Sequence, residues 1–119
     1  METQPRKTGR FSRSERVKKN GDIQILFKKG KKVSTAGAKL FVLSTGRSTN
    51  RIAFTLPRNY GNAVKRNRSK RLSREAYRLL KSDLKTGYDM VLLIYPGNDS
   101  FAERYVKLRC LCGKAGLFL

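Results

Sequence analysis

Histidine is absent from this sequence, and with it go the commonest general base and the commonest transition-metal ligand. Catalysis by the chain's own side chains is therefore disfavoured. Cysteine is scarce: Cys110 and Cys112 are the only two, too few for a disulfide framework and without the paired spacing of a zinc site. On a helix, residues two apart point about 200° away from each other, so this pair cannot bridge and is expected as buried thiols. No apolar run approaches the ~18 residues that a spanning helix needs, which argues against a membrane anchor. Residues 1–13 are polar and basic with no apolar stretch behind them, unlike a secretory signal; the expected location is the cytoplasm. Acidic residues are few as well, 8 against 28 Lys and Arg.

The resulting formal charge of +20 repels itself in the compact state and attracts any polyanion. A chain of 119 residues with 39% hydrophobic content suits one core, burying roughly two-thirds of the unfolded surface. Residues 1–13, with Arg6, Lys7, Arg10 and Arg13 among Gly, Ser, Thr and Pro, are too polar to repay ordering. They are expected as a flexible basic arm before a single domain over 14–119.

Asn20-Gly21-Asp22 offers N-cap chemistry, and Ile23, Leu26 and Phe27 follow at helical spacing before Gly30. Within 33–43, a small-residue stretch precedes Leu40-Phe41-Val42-Leu43, an apolar run that suits a strand. Arg51 to Leu56 alternates until Pro57 ends it, and these two strands are expected to pair as a hairpin. After Gly61-Asn62, Leu72, Ala76, Leu79 and Leu80 mark one apolar helix face. Tyr88 to Tyr95 is continuously apolar and belongs in mid-sheet. Ser100-x-x-Glu103 reads as a capping box opening a last helix with Phe101, Tyr105, Leu108 and Leu111 on its stripe. The order predicts an α+β fold: a two-layer α/β sandwich of about four strands and three helices, αβββαβα, around a mixed sheet.

Function concentrates between Arg58 and Arg78. Eight basic side chains, Arg58, Lys65, Arg66, Arg68, Lys70, Arg71, Arg74 and Arg78, face the single acid Glu75 there. Arg66, Lys70, Arg74 and Arg78 fall in an i, i+4, i+8, i+12 row opposite Leu72, Ala76 and Leu79. Like charges at that spacing cost an isolated helix a few tenths of a kcal/mol per pair, so the row calls for an external partner. Phosphate fits, because guanidinium forks grip its oxygens; Asn59, Asn62 and Asn67 add neutral donors and acceptors suited to sugar and base edges. A merely solvated helix face would mix the two signs.

The run Gly61-Asn62-Ala63-Val64-Lys65-Arg66-Asn67-Arg68, followed by Lys70-Arg71 and Arg74-Glu75, resembles the signature of bacterial ribonuclease P protein subunits. Lys18-Lys19-Asn20 through Phe27-Lys28-Lys29-Gly30 resembles that family's first helix, and the resemblance extends over residues 16–111. It implies that a large RNA subunit performs metal-assisted phosphodiester hydrolysis, with Mg²⁺ held through the RNA, while the protein binds RNA. By this resemblance Lys65, Arg66, Asn67, Arg68, Lys70, Arg71 and Arg74 contact ribonuclease P RNA, and a cleft between the first helix and the sheet takes the single-stranded 5′ leader of precursor tRNA. The cleft maps onto Ile23, Phe27, Val42 and Ser44, with Arg68 at the motif end. The family usually places aromatics where Ile23 and Ser44 stand, and stacking on such a ring is worth ~1–3 kcal/mol per base. Phe41 and Tyr60 are the candidates to replace them. The resemblance also implies a left-handed crossover, whereas parallel βαβ connections are right-handed in about 98% of cases.

Two other classes compete. A ribosomal or other structural RNA-binding protein shares the charge and the fold, but gives no reason for the Gly61–Glu75 pattern. A self-sufficient nuclease needs clustered carboxylates or a histidine pair, and Asp22, Asp83, Asp89 and Asp99 are scattered over separate elements.

Overall fold

The computed structural model describes residues 13–119, so the arm expected over 1–13 lies outside the described residues except for Arg13. The elements are α1 (Asn20–Lys29), β1 (Lys31–Thr35), β2 (Ala38–Ser44), β3 (Arg51–Thr55), α2 (Ala63–Leu80), β4 (Tyr88–Ile94) and α3 (Phe101–Lys114). One mixed four-stranded sheet results, in the order β1-β2-β4-β3. The stretch around Ser34–Ala38 is a tight hairpin, with Thr35 opposite Ala38 and Gly37 at φ 78°, a conformation glycine adopts without a Cβ penalty.

The expected hairpin between Leu40–Leu43 and Ile52–Leu56 does not form. β2 pairs antiparallel with β1 and β4, and β3 pairs only with β4, in parallel. The reason lies in β4 itself: Met90, Val91, Leu92 and Ile94 are all buried, and a strand apolar on both sides is satisfied only with a neighbour along each edge and cover on each face. It therefore inserts between β2 and β3, and α2 becomes the connection between two adjacent parallel strands.

Side-chain alternation then divides the core in two. Ala38, Leu40, Val42, Ile52, Met90, Leu92 and Ile94 meet α2 and α3 in the larger cluster. Phe41, Ala53 and Val91 point the other way, onto Leu26 of α1 and Val17, with Ile23, Phe27, Leu43 and Leu93 partly buried around them. The helices thus share out the two faces of the sheet, α2 and α3 on one and α1 on the other.

Two helix readings need correction. Asn20-Gly21-Asp22 is the first turn of α1 and not its cap; Lys19 holds the N-cap position without a side-chain hydrogen bond. On α2, Leu72 is half-buried and Leu79 is 55% exposed, while Ser69, Ser73, Ala76, Tyr77 and Leu80 are buried. The helix is rotated because α3 sets Arg104, 1% exposed, against it. The Arg104 guanidinium donates to the Ser69 carbonyl (2.8 Å), to the Ser69 and Ser73 hydroxyls (3.1 and 2.8 Å) and to Asp99 (3.0 Å). Only small polar side chains at 69 and 73 leave room for that group. The capping box of α3 forms as expected, Ser100 and Glu103 bonding reciprocally at 2.8 and 3.2 Å. Cys110 and Cys112 are both free, half-buried and buried respectively, and burial pushes the Cys112 thiol up to about 12.

Candidate nucleic-acid interface

The basic segment begins at the turn after β3, where the Tyr60 amide donates to the Pro57 carbonyl at 3.0 Å. Asn62 then caps α2, its side-chain oxygen accepting from the Lys65 amide at 3.0 Å; such a cap is worth ~1 kcal/mol. Gly61, at φ 149°, lets the chain enter the helix close to the Lys65 side chain.

Because of the rotation, the row Arg66, Lys70, Arg74 and Arg78 is a half-buried flank, and Lys65, Asn67, Arg68 and Arg71 form the fully exposed side. The eight cations also differ in how committed they are. Arg66 donates to the Pro57 carbonyl at 2.9 Å, and Arg78 pairs with Glu75. Lys65, Arg68, Lys70, Arg71 and Arg74 form no ion pair among the described residues. Five uncompensated cations within ten residues of one helix repel one another at a cost of a few tenths of a kcal/mol per neighbouring pair. An array of phosphates removes that cost. Arg58 stands exposed on the preceding turn, beside the same surface.

Elsewhere several arginines and lysines are answered internally. Asp89, buried on β4, accepts from Arg51 at 2.9 and 2.6 Å and from Arg47 at 3.1 Å. Arg51 also lies 3.8 Å from Asp22 of α1, so this network ties α1 to the sheet. Lys81 bonds Glu15 at 2.9 Å, fastening the segment before α1 to the end of α2. The outer face of α2 thus presents five unpaired cations along one helix, while exposed lysines such as Lys28, Lys29, Lys31 and Lys32 add free charge around α1 and β1.

A cleft of about 220 Å³ lies along the β3 edge, lined by Arg16, Val17, Ile23, Ala53, Lys70 and Arg74 among others. Ile23 reaches it as expected. Phe27 does not line it: the residue is half-buried over β2, its ring edge-on to Phe41 with centroids 4.8 Å apart. Val42 does not belong there: strand alternation points it into the α2–α3 core on the opposite face. Ser44 is exposed at the end of β2, opposite Tyr88. Arg68 also faces elsewhere, lining a second pocket with Tyr60, Lys65 and Pro96–Asn98; Lys70 and Arg74 take its place. Arg16, which sequence reasoning assigned no role, reaches the cleft because its segment bridges to Ile52 in parallel along the β3 edge. Its basic character was visible, but its position depends on that pairing.

Among the described residues no group of three or more Cys, Asp or Glu could hold a metal ion, and no helix is long and apolar enough to cross a membrane. What remains is a small α+β protein that presents a helix face of unpaired cations beside a narrow cleft, a surface complementary in charge to a polyanion.

The chain belongs to the ribonuclease P protein family, whose sequence model, described as Ribonuclease P, matches residues 11–116. It is 42% identical over 92 residues to the ribonuclease P protein component of Brevibacillus brevis, covering 74% of this chain and 71% of that one. It is 38% identical over 107 residues to that of Finegoldia magna, covering 88% and 94%. The solved RNase P protein of Staphylococcus aureus superposes with a TM-score of 0.80 at 25% identity, over 88% of this chain and 98% of that one. The family is the protein subunit of a tRNA-processing ribonucleoprotein endoribonuclease.

Proposed function

We propose that this subunit binds ribonuclease P RNA through the outer face of α2 and guides the 5′ leader of precursor tRNA along the cleft beside it. The observation that carries the reading is the set of five cations, Lys65, Arg68, Lys70, Arg71 and Arg74, that have no ion-pair partner among the described residues. Lys70 and Arg74 belong to both surfaces, since they line the cleft from the α2 side. A single strand lying between them and Ile23 meets cations along its backbone and an apolar wall for its bases. Hydrolysis is assigned to the RNA with its Mg²⁺, the protein supplying position and charge neutralisation in the cytoplasm.

The test is precursor-tRNA cleavage at low magnesium by a purified bacterial ribonuclease P RNA, with and without this protein. Marked stimulation by a protein that is inert alone is expected, together with dependence on leader length. Tight, salt-sensitive RNA binding without stimulation would instead favour a structural RNA-binding role.

A further inference from the structure

The second pocket is not explained by a row of phosphate contacts. About 540 Å³ of space lies between the first turns of α2 and the turn that joins β4 to α3, lined by Tyr60, Lys65, Arg68, Pro96, Gly97 and Asn98. Ligand sites commonly span roughly 300–1,000 Å³. We propose that this pocket takes one unstacked nucleotide of the RNA partner, its phosphate on Lys65 and Arg68 and its base against Tyr60 and Asn98. The proposal rests on the subunit reading and adds to it a specific demand, that the bound RNA present a nucleotide out of its stack.

Tyr60 carries the argument. Its ring belongs to the main core and the residue is only 9% exposed, yet its hydroxyl has no hydrogen-bond partner among the described residues. Buried tyrosines normally find one. Among the described residues the one fully enclosed unsatisfied side-chain atom is the Arg78 Nε, so the Tyr60 hydroxyl is not sealed off, and the residue lines the pocket. Asn98, exposed across the pocket, offers an amide with both donors and an acceptor, the complement of a base edge. Pro96 supplies an apolar wall, and an added Cβ at Gly97 would meet nothing within 4 Å, so the approach is open.

Lys65 and Arg68 stand three residues apart and therefore on one side of α2. Both are exposed and neither is paired. The basic pocket around Lys18, Lys19, Arg47 and Arg51 differs in that Asp89 and Asp22 answer Arg47 and Arg51 and no tyrosine or asparagine lines it. A space of about 540 Å³ is the size of a single nucleotide and not of a stacked duplex, and base recognition in RNA depends on nucleotides splayed from the helix. The same two cations could hold a free phosphate, but that would leave Tyr60 and Asn98 unused.

The deciding measurement is the affinity of the full chain for ribonuclease P RNA across a salt series, for the wild type and for Tyr60→Phe with Asn98→Ala. Tyr60→Phe keeps the ring in the core, and an unchanged melting temperature establishes that the fold is intact. The double variant should bind on the order of tenfold more weakly at every salt concentration, with an unchanged salt slope, because two neutral hydrogen bonds are lost and no charge. Lys65→Ala with Arg68→Ala should flatten the slope instead. Equal affinity of the Tyr60/Asn98 variant and the wild type at all salts would overturn the proposal, as would inorganic phosphate competing for Lys65 and Arg68 with no effect of that variant on RNA binding. Absence of cleavage stimulation by the wild type would refute the subunit reading alone, since the pocket is judged on binding.

Discussion

The division of the α2 cations into paired and unpaired groups makes a quantitative prediction about salt. Each phosphate contact releases condensed counterions, giving log K against log salt a slope of about −0.9 per contact on duplex and −0.7 on single strands. If the five unpaired cations each meet one phosphate, the slope lies between roughly −3.5 and −4.5, so raising salt from about 0.05 to 0.2 M weakens binding roughly 100- to 500-fold. Arg68→Ala with Arg71→Ala leaves three such contacts and cuts that loss to roughly 20- to 40-fold. Arg78 and Glu75 behave differently, because they already neutralise each other. Replacing both by glutamine removes no net charge and should leave the slope within about 0.5 of the wild type. Filter binding or fluorescence anisotropy with ribonuclease P RNA at five salt concentrations reads both results. The reasoning is refuted if the Glu75/Arg78 pair flattens the slope as much as the Arg68/Arg71 pair, or if neither does.

The buried guanidinium supports a stability prediction. Arg104→Met leaves Asp99 with Lys107 alone and takes the shared donor from two serine hydroxyls. Losing one partner of a buried ion pair costs about 3–5 kcal/mol, the lower end applying because Lys107 remains. At this chain length that corresponds to a fall in melting temperature of roughly 12–20 °C, readable by circular dichroism; a change under about 1 kcal/mol would show that the group is not structural. Asp99 supports a pH prediction. Burial opposes its ionisation, but hydrogen bonds from Lys107 (2.8 Å) and Arg104 (3.0 Å), with their charges, outweigh this and hold its carboxyl below the ordinary 3.8. Its stabilisation is therefore complete above that value and lost as pH falls through the lower folded-state value. Acid denaturation monitored down to about pH 2 should show that loss, and Asp99→Asn should remove this component while lowering stability at neutral pH.

Much of the fold was legible because local signals agreed with one another. The capping box at Ser100, the breaks at Gly30 and Pro57, and the uninterrupted apolar run of β4 each place an element where it occurs. The partner of β2 was not legible. Adjacent strands in sequence commonly pair, and nothing local to Leu40–Leu43 says that β4, some fifty residues away, takes the place of β3. The rotation of α2 was hidden for a similar reason. Leu72 and Leu79 outrank serine on any hydrophobic face, and only the placement of Arg104 from α3 makes Ser69 and Ser73 the contact residues.

For the site, the sequence alone determined the partner's chemistry: a surplus of twenty positive charges, with eight basic residues and one acid between Arg58 and Arg78, is a property of composition and helical spacing that no packing can reverse. Tertiary structure decided which of those charges are available. Glu75 and the Pro57 carbonyl occupy Arg78 and Arg66, strand alternation turned Val42 away from the cleft, and pairing along the β3 edge brought Arg16 into it. These outcomes depend on which groups meet across elements far apart in the chain. Charge is written residue by residue; its commitment is settled only when the chain closes on itself.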